Sequence, residues 1–134
     1  GLPVSWERRL LAPGDCALFE SLASGDIAFF DSSHLLWPGS EVDLILNTLL
    51  PVLRPGVLVH LHDVFLPDPY PEAWAWRGYT EQLGLGGWLA GGAFEIVWAS
   101  HFARPRAEAA RHPTIAGLPR PEAAPESARW LRRR

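Results

Sequence analysis

The 134-residue sequence contains no lysine and no methionine, and it has one cysteine. It also has no apolar run approaching the ~20 residues that cross a bilayer. Each absence excludes something. One thiol cannot build a disulfide framework within the chain. Cys16, inside the apolar Cys16-Ala-Leu-Phe19 stretch, reads as a buried structural thiol rather than a nucleophile. Without an apolar span or a leader pattern there is no sign of a membrane anchor, and the default expectation is a cytoplasmic protein. The formal net charge of −3 gives no broad attraction to nucleic acid. The terminal Arg132-Arg133-Arg134 reads as a solvated tail. The missing methionine puts Gly1 away from an ordinary start, so the sequence reads as cut, processed or part of something longer. No Gly-x-Gly-x-Gly follows a strand pattern, and Gly84-Leu-Gly-Gly87 sits inside a helical one.

What is present is the composition of a small globular domain, 48% apolar and 20% charged. Residues 1–13 show no clear element. Asp15 to Leu22 predicts a short helix that Ser24-Gly25 ends. Asp26-Ile-Ala-Phe-Phe-Asp31 is a short apolar run between turn signals, the pattern of a strand buried on both faces. Ser40 is a good N-cap, and Val42, Ile45, Leu46, Leu49, Leu50 and Leu53 form a helical stripe after it. Pro51 predicts a kink or early end there. Val57 to His62 predicts a second strand, so the three elements read as a βαβ unit with parallel strands.

Residues 64–72, with three prolines, predict a rigid loop. Residues 72–90 predict a Trp-rich helix, weakened in its middle by glycines. Ala93 to Ala99 predicts a third strand, and Arg104 to Arg111 a short helix. Residues 113–125 predict a loop, and Ser127 to Arg132 a last, edge-like strand.

The chemistry gathers at two strand ends. Asp31-Ser-Ser-His34 follows the first strand, and His62-Asp63 closes the second. Open α/β sheets bind ligands beyond the carboxyl ends of their strands, so neighbouring strands would bring these groups to one edge. Two carboxylates and two imidazoles can hold a divalent metal, or place a general base beside a substrate. His60 shares a face with His62 but lies further into the sheet, where it reads as a core or helix-facing histidine. The seven tryptophans read mainly as core packing or a dimer surface, with an aromatic substrate wall as the alternative.

The run Gly25-Asp-Ile-Ala-Phe-Phe-Asp-Ser-Ser-His34, the helix start Gly39-Ser-Glu-Val-Asp43, and Leu50 through Pro67 resemble class I S-adenosylmethionine-dependent methyltransferases. The Asp-Ser-Ser-His and His-x-His-Asp pair is similar to a bacterial subfamily of these enzymes. The resemblance covers roughly residues 15–102, with Ala128 to Arg132 similar to the family's last strand. It implies the C-terminal part of a Rossmann-like sheet, strands four and five parallel and then an antiparallel edge pair. It implies one partial domain over residues 1–134 that lacks the Gly-rich donor loop. The intact enzyme would use S-adenosylmethionine to methylate an oxygen or nitrogen of a small-molecule or sugar-like substrate, and the isolated chain would be inactive. His34 or His62 would be the base. Asp31 and Asp63 fall on two of three metal-ligand positions in related O-methyltransferases, for Mg²⁺ or another divalent metal, and Val64 stands at the third. Two other readings stay open. One is a metal-dependent hydrolase on the same residues. The other is a non-catalytic module that forms homo-oligomers through an exposed sheet edge.

Overall fold

The computed structural model describes residues 1, 3–104, 113–117 and 125–134. The first strand, β1, spans Ile27–Phe30, and the second, β2, spans Leu58–Leu61. They pair in parallel, with Ile27 opposite Leu58 and Phe30 opposite Leu61. β3 (Phe94–Ala99) and β4 (Arg129–Arg133) complete a four-stranded mixed sheet of order β1-β2-β4-β3. β4 runs antiparallel to both of its neighbours. The chain is thus α/β, with helices flanking a mixed sheet.

The expected last strand exists, but it is interior rather than edge-like, and β3 takes the edge. Leu131 explains the placement: it is fully buried opposite Val59 and so needs cover on both sides. The arginine run is accordingly no solvated tail. Arg133 lies in β4 and donates from its side chain to the carbonyls of Leu53 and Ala93.

A 3₁₀ turn, Pro13–Asp15, leads into α1 (Cys16–Ser21). Cys16 is half-buried and packs against the core. Ser40 caps α2 (Glu41–Leu44), its hydroxyl accepting from the Asp43 amide. A π-helical turn (Ile45–Leu49) and α3 (Leu50–Val52) continue the same run. This is how the chain accommodates Pro51. The ring sits in the first turn of α3, where a missing N–H costs little, and the register shifts by one residue upstream.

The predicted helix over 72–90 divides in two. Glu72–Arg77 is a 3₁₀ segment that ends at Gly78 in the left-handed region (φ 65°), and α4 is Glu81–Ala90. Glycine tolerates that turn because it has no Cβ. α5 (Ser100–Ala103) follows β3 directly, so helix begins earlier than expected there, and residues 105–112 lie outside the described residues. Pro113–Ala116 is a helical turn, α6, where a loop was expected, and residues 118–124 are again outside the described residues.

The core lies on one side of the sheet. Ala28, Phe30, Val59, Leu61 and Leu131 meet Val42, Ile45, Leu46, Leu49 and Leu50 from the helical run, and Leu85 from α4. Each fully buried Leu or Val among them stabilises the fold by about 1.5–3 kcal/mol relative to exposure. The opposite face carries Ile27 and Phe29, which are 53% and 61% exposed. β1 is therefore not buried on both faces as its composition suggested.

Candidate functional site at the strand ends

β1 and β2 are parallel neighbours, so their carboxyl ends lie side by side, and Asp31 and Asp63 arrive at one edge of the sheet. The hydrogen bond from the His62 amide to the Phe30 carbonyl (2.9 Å) extends the pairing to this point. Two residues at the edge have left-handed backbone, His34 at φ 59° and Asp63 at φ 53°. Such a conformation costs a residue with a Cβ about 1–2 kcal/mol. Strain of this kind concentrates at functional sites.

The His34 backbone is fixed by α4 and the turn before it. Its carbonyl accepts from the amides of Thr80 (2.9 Å) and Glu81 (3.1 Å). Its own amide donates to Ser32 Oγ at 3.2 Å, and the Leu36 amide donates to Thr80 Oγ1 at 2.7 Å. Glu41 accepts from the Ser33 amide. These bonds turn the imidazole inward, where it is only 3% exposed.

Inside, His34 Nδ1 lies 2.8 Å from Glu81 Oε2, and the Glu81 side chain is 1% exposed. Nε2 lies 3.5 Å from Asp31 Oδ1 and 3.9 Å from Asp63 Oδ2. Burial by itself would lower the His34 pKa. The carboxylates of Glu81, Asp63 and Asp31 outweigh it and hold the ring above its ordinary value. The Tyr79 ring packs against the imidazole, centroids 4.5 Å apart. Ser127 donates to Asp63 Oδ1 at 2.8 Å, which ties β4's approach to the same edge. Tyr70 is a buried phenol whose pKa is pushed up by burial and then by Glu81.

The mouth of the site is made by different groups. The Asp31 side chain is 57% exposed and His62 is 43% exposed, with His62 Nε2 3.4 Å from Asp63 Oδ1. Beside Asp31 opens a cavity of about 250 Å³, lined by Leu10, Leu11, Phe29 and Ile45 together with Arg9 and Glu41. A larger cavity of about 380 Å³ lies between Leu11 and the start of α2, but it does not reach Asp31 or either histidine. The smaller one takes in Asp31 but neither histidine.

All four residues singled out from the sequence, Asp31, His34, His62 and Asp63, therefore converge. His60 does not join them. Instead of facing the helices it lies on the opposite face, stacked on Phe29 (4.4 Å) and edge-on to Trp130 (4.7 Å). Burial, and then His62, push its pKa down. Glu81, the closest partner of His34, was missed. In the sequence it is one of many acidic residues near a helix start, and a separation of 47 positions carries no local signal.

The donor set does not fit a resident divalent cation. Among the described residues no group of three or more His, Cys, Asp or Glu is arranged to hold one. Val64, at the third ligand position the resemblance implies, is buried in the hydrophobic core. Nor do the described residues fit a resident S-adenosylmethionine. The left-handed glycines Gly25, Gly56 and Gly92 precede β1, β2 and β3, at the end of the sheet away from Asp31 and Asp63. Among the described residues, no helix is long and apolar enough to cross a membrane. No family model, curated protein or solved structure matches the chain.

Proposed function

We propose that this chain supplies the acceptor-and-base side of a methyltransferase-type site acting on a small molecule. The observation that carries this reading is that exposed Asp31 and His62 follow the ends of adjacent parallel strands, with Asp31 lining a cavity of mixed polar and apolar walls. A parallel pair followed by an antiparallel pair at the sheet edge supports it, as does the Asp-Ser-Ser-His and His-x-His-Asp pattern that lands on that edge.

In this reading the apolar body of the substrate rests against Leu10, Leu11 and Phe29. Asp31 accepts a hydrogen bond from it and orients the nucleophile. His62 takes the proton that the hydroxyl or amine must lose. Asp63, held by Ser127, faces His62 Nε2 and leaves Nδ1 as the proton acceptor. Methyl transfer from S-adenosylmethionine is the group transfer the resemblance implies, and the described residues contribute no cradle for that donor. The chain by itself should therefore not bind it.

The test is a methyl-transfer assay on the full gene product with S-adenosylmethionine and a panel of hydroxyl- and amine-bearing small molecules. His62→Gln should lower kcat by about a hundredfold or more, the usual worth of a positioned base. Asp31→Asn should raise KM more than it lowers kcat. Transfer that survives both substitutions undiminished overturns the proposal.

A further inference from the structure

We propose that Gln82 is a positioning residue of the strand-end site: its buried carboxamide fixes the loop that leaves Asp63, and so sets where the Asp63 carboxylate stands against His62. The inference rests on the strand-end edge being the functional site, but not on methyl transfer itself.

Asp63 sits in the left-handed region at φ 53°. A residue with a Cβ stays there when its surroundings impose it. The ties on the chain just after Asp63 come from two directions. On the approach to β4, the Ser127 carbonyl accepts from the Val64 amide at 2.7 Å, and the Ser127 hydroxyl donates to Asp63 Oδ1 at 2.8 Å. From α4, Gln82 Oε1 accepts from the Phe65 amide and from the Leu66 amide, the latter at 3.1 Å. Gln82 Nε2 donates to the Asp68 carbonyl at 3.3 Å. The carboxamide thus uses both its acceptor and its donor on one loop. Among the described residues neither amide has another partner. Phe65 is fully buried and Gln82 is 8% exposed. Loss of this side chain would leave two N–H groups without partners and away from water.

The neighbours of Gln82 show what the start of α4 is built to hold. Thr80 Oγ1 accepts from the Leu36 amide, and Glu81 meets His34, so these two residues grip the loop after β1. Gln82, next in the chain, grips the loop after β2. One helix end therefore keeps the two strand-end loops in register. Gln82 is too deeply buried to meet a substrate, so its effect passes through Asp63, whose Oδ1 faces His62 Nε2 at 3.4 Å. The cavity beside Asp31 is lined by other elements, and none of the hydrogen bonds of Gln82 goes to them. Displacing the loop therefore disturbs the Asp63–His62 pair and spares the Asp31 side.

The test uses NMR of the chain as it stands. In the wild type the Phe65 and Leu66 amides should exchange slowly with solvent, and Asp63 should show the backbone shifts of a left-handed residue. Fast exchange at both amides, or an Asp63 outside that region, overturns the proposal. Gln82→Asn keeps the carboxamide but falls one methylene short. Exchange at both amides should then quicken by about tenfold or more, the worth of a hydrogen bond. The Asp63 and His62 signals should move while those of Ser32 to His34 stay. Asp63 signals that stay put as the amides open, or an equal disturbance at Ser32 to His34, leave Gln82 a packing role and overturn the proposal. Gln82→Glu still accepts from both amides and should keep the Asp63 shifts. An Asp63 displaced as far as in Gln82→Asn overturns it. None of these readouts needs a substrate. In the methyl-transfer assay on the full gene product, Gln82→Asn should lower kcat by about tenfold or more with KM held, the mark of a misplaced reacting group. A rise in KM alone overturns the proposal. The expected NMR changes in a protein that transfers no methyl group would sink the functional reading and leave this one standing.

Discussion

His34 and His60 are both buried imidazoles, and their surroundings push them in opposite directions. The folded-state pKa of His34 is raised, so its stabilising contribution is complete below the unfolded value of about 6.5 and is lost as pH rises through the folded value. Removing its partner with Glu81→Ala should therefore cost most at low pH, about 3 kcal/mol near pH 6, because it leaves a buried charge unpaired. Denaturant melts at pH 6 and pH 9 should show the penalty shrinking at the higher pH. His60 has a lowered folded-state pKa, so stability is lost as pH falls from about 6.5 through the folded value. Its Nδ1 is buried without a hydrogen-bond partner among the described residues. Replacing His60 by Phe keeps the stack on Phe29 and removes that orphan. The substitution should stabilise by about 1 kcal/mol at pH 8 and by more at pH 5, read from the same melts.

At the scale of elements, the turns that feed the strands are stricter than the helix that supports the site. Gly56 enters β2 at φ 88°, and a Cβ there would lie 2.6 Å from Ser24 Cβ and 3.2 Å from its Cα. Gly56→Ala should cost about 2 kcal/mol in chemical denaturation, from backbone strain together with the clash. Gly86 lies inside α4 with open space where a Cβ would go. Gly86→Ala should instead stabilise by about 0.5–1 kcal/mol, the ordinary gain in a helix interior. Equal effects at the two positions would contradict this account. The helical run before β2 was legible from its apolar stripe, and Pro51 marked its irregularity. The break at Gly78 was not, because Trp76, Tyr79 and Leu83 mimic continued helical spacing while the chain turns to bring Glu81 under His34.

The whole molecule is one-sided in its described part. Helices cover one face of the sheet, and the other exposes Ile27 and Phe29 next to the free edge of β1. Exposed apolar surface at an unpaired edge favours association. The chain should self-associate with rising concentration in size-exclusion chromatography, and Phe29→Lys should return it to monomer. A wild-type chain that stays monomeric at high concentration would count against that expectation. The same one-sidedness explains a misreading. Ile27-Ala-Phe-Phe30 has the composition of a strand buried on both faces, but among the described residues only Ala28 and Phe30 find cover.

By itself, the sequence determined the strands, the capped helical run and the two polar clusters at the strand ends. These depend on neighbours in the chain: alternation, a Ser40 cap, and carboxylates placed directly after apolar runs. Only the tertiary structure decided that β4 inserts between β2 and β3, that His60 turns away from the helices, and that Glu81 reaches His34. Those outcomes rest on burial and charge pairing between distant segments. Leu131 needs cover on both sides, and a buried Glu81 needs an imidazole across 47 residues of chain. His34 was read from the sequence as a candidate base. Its inward rotamer places it among three carboxylates, and leaves the mouth of the site to Asp31 and His62.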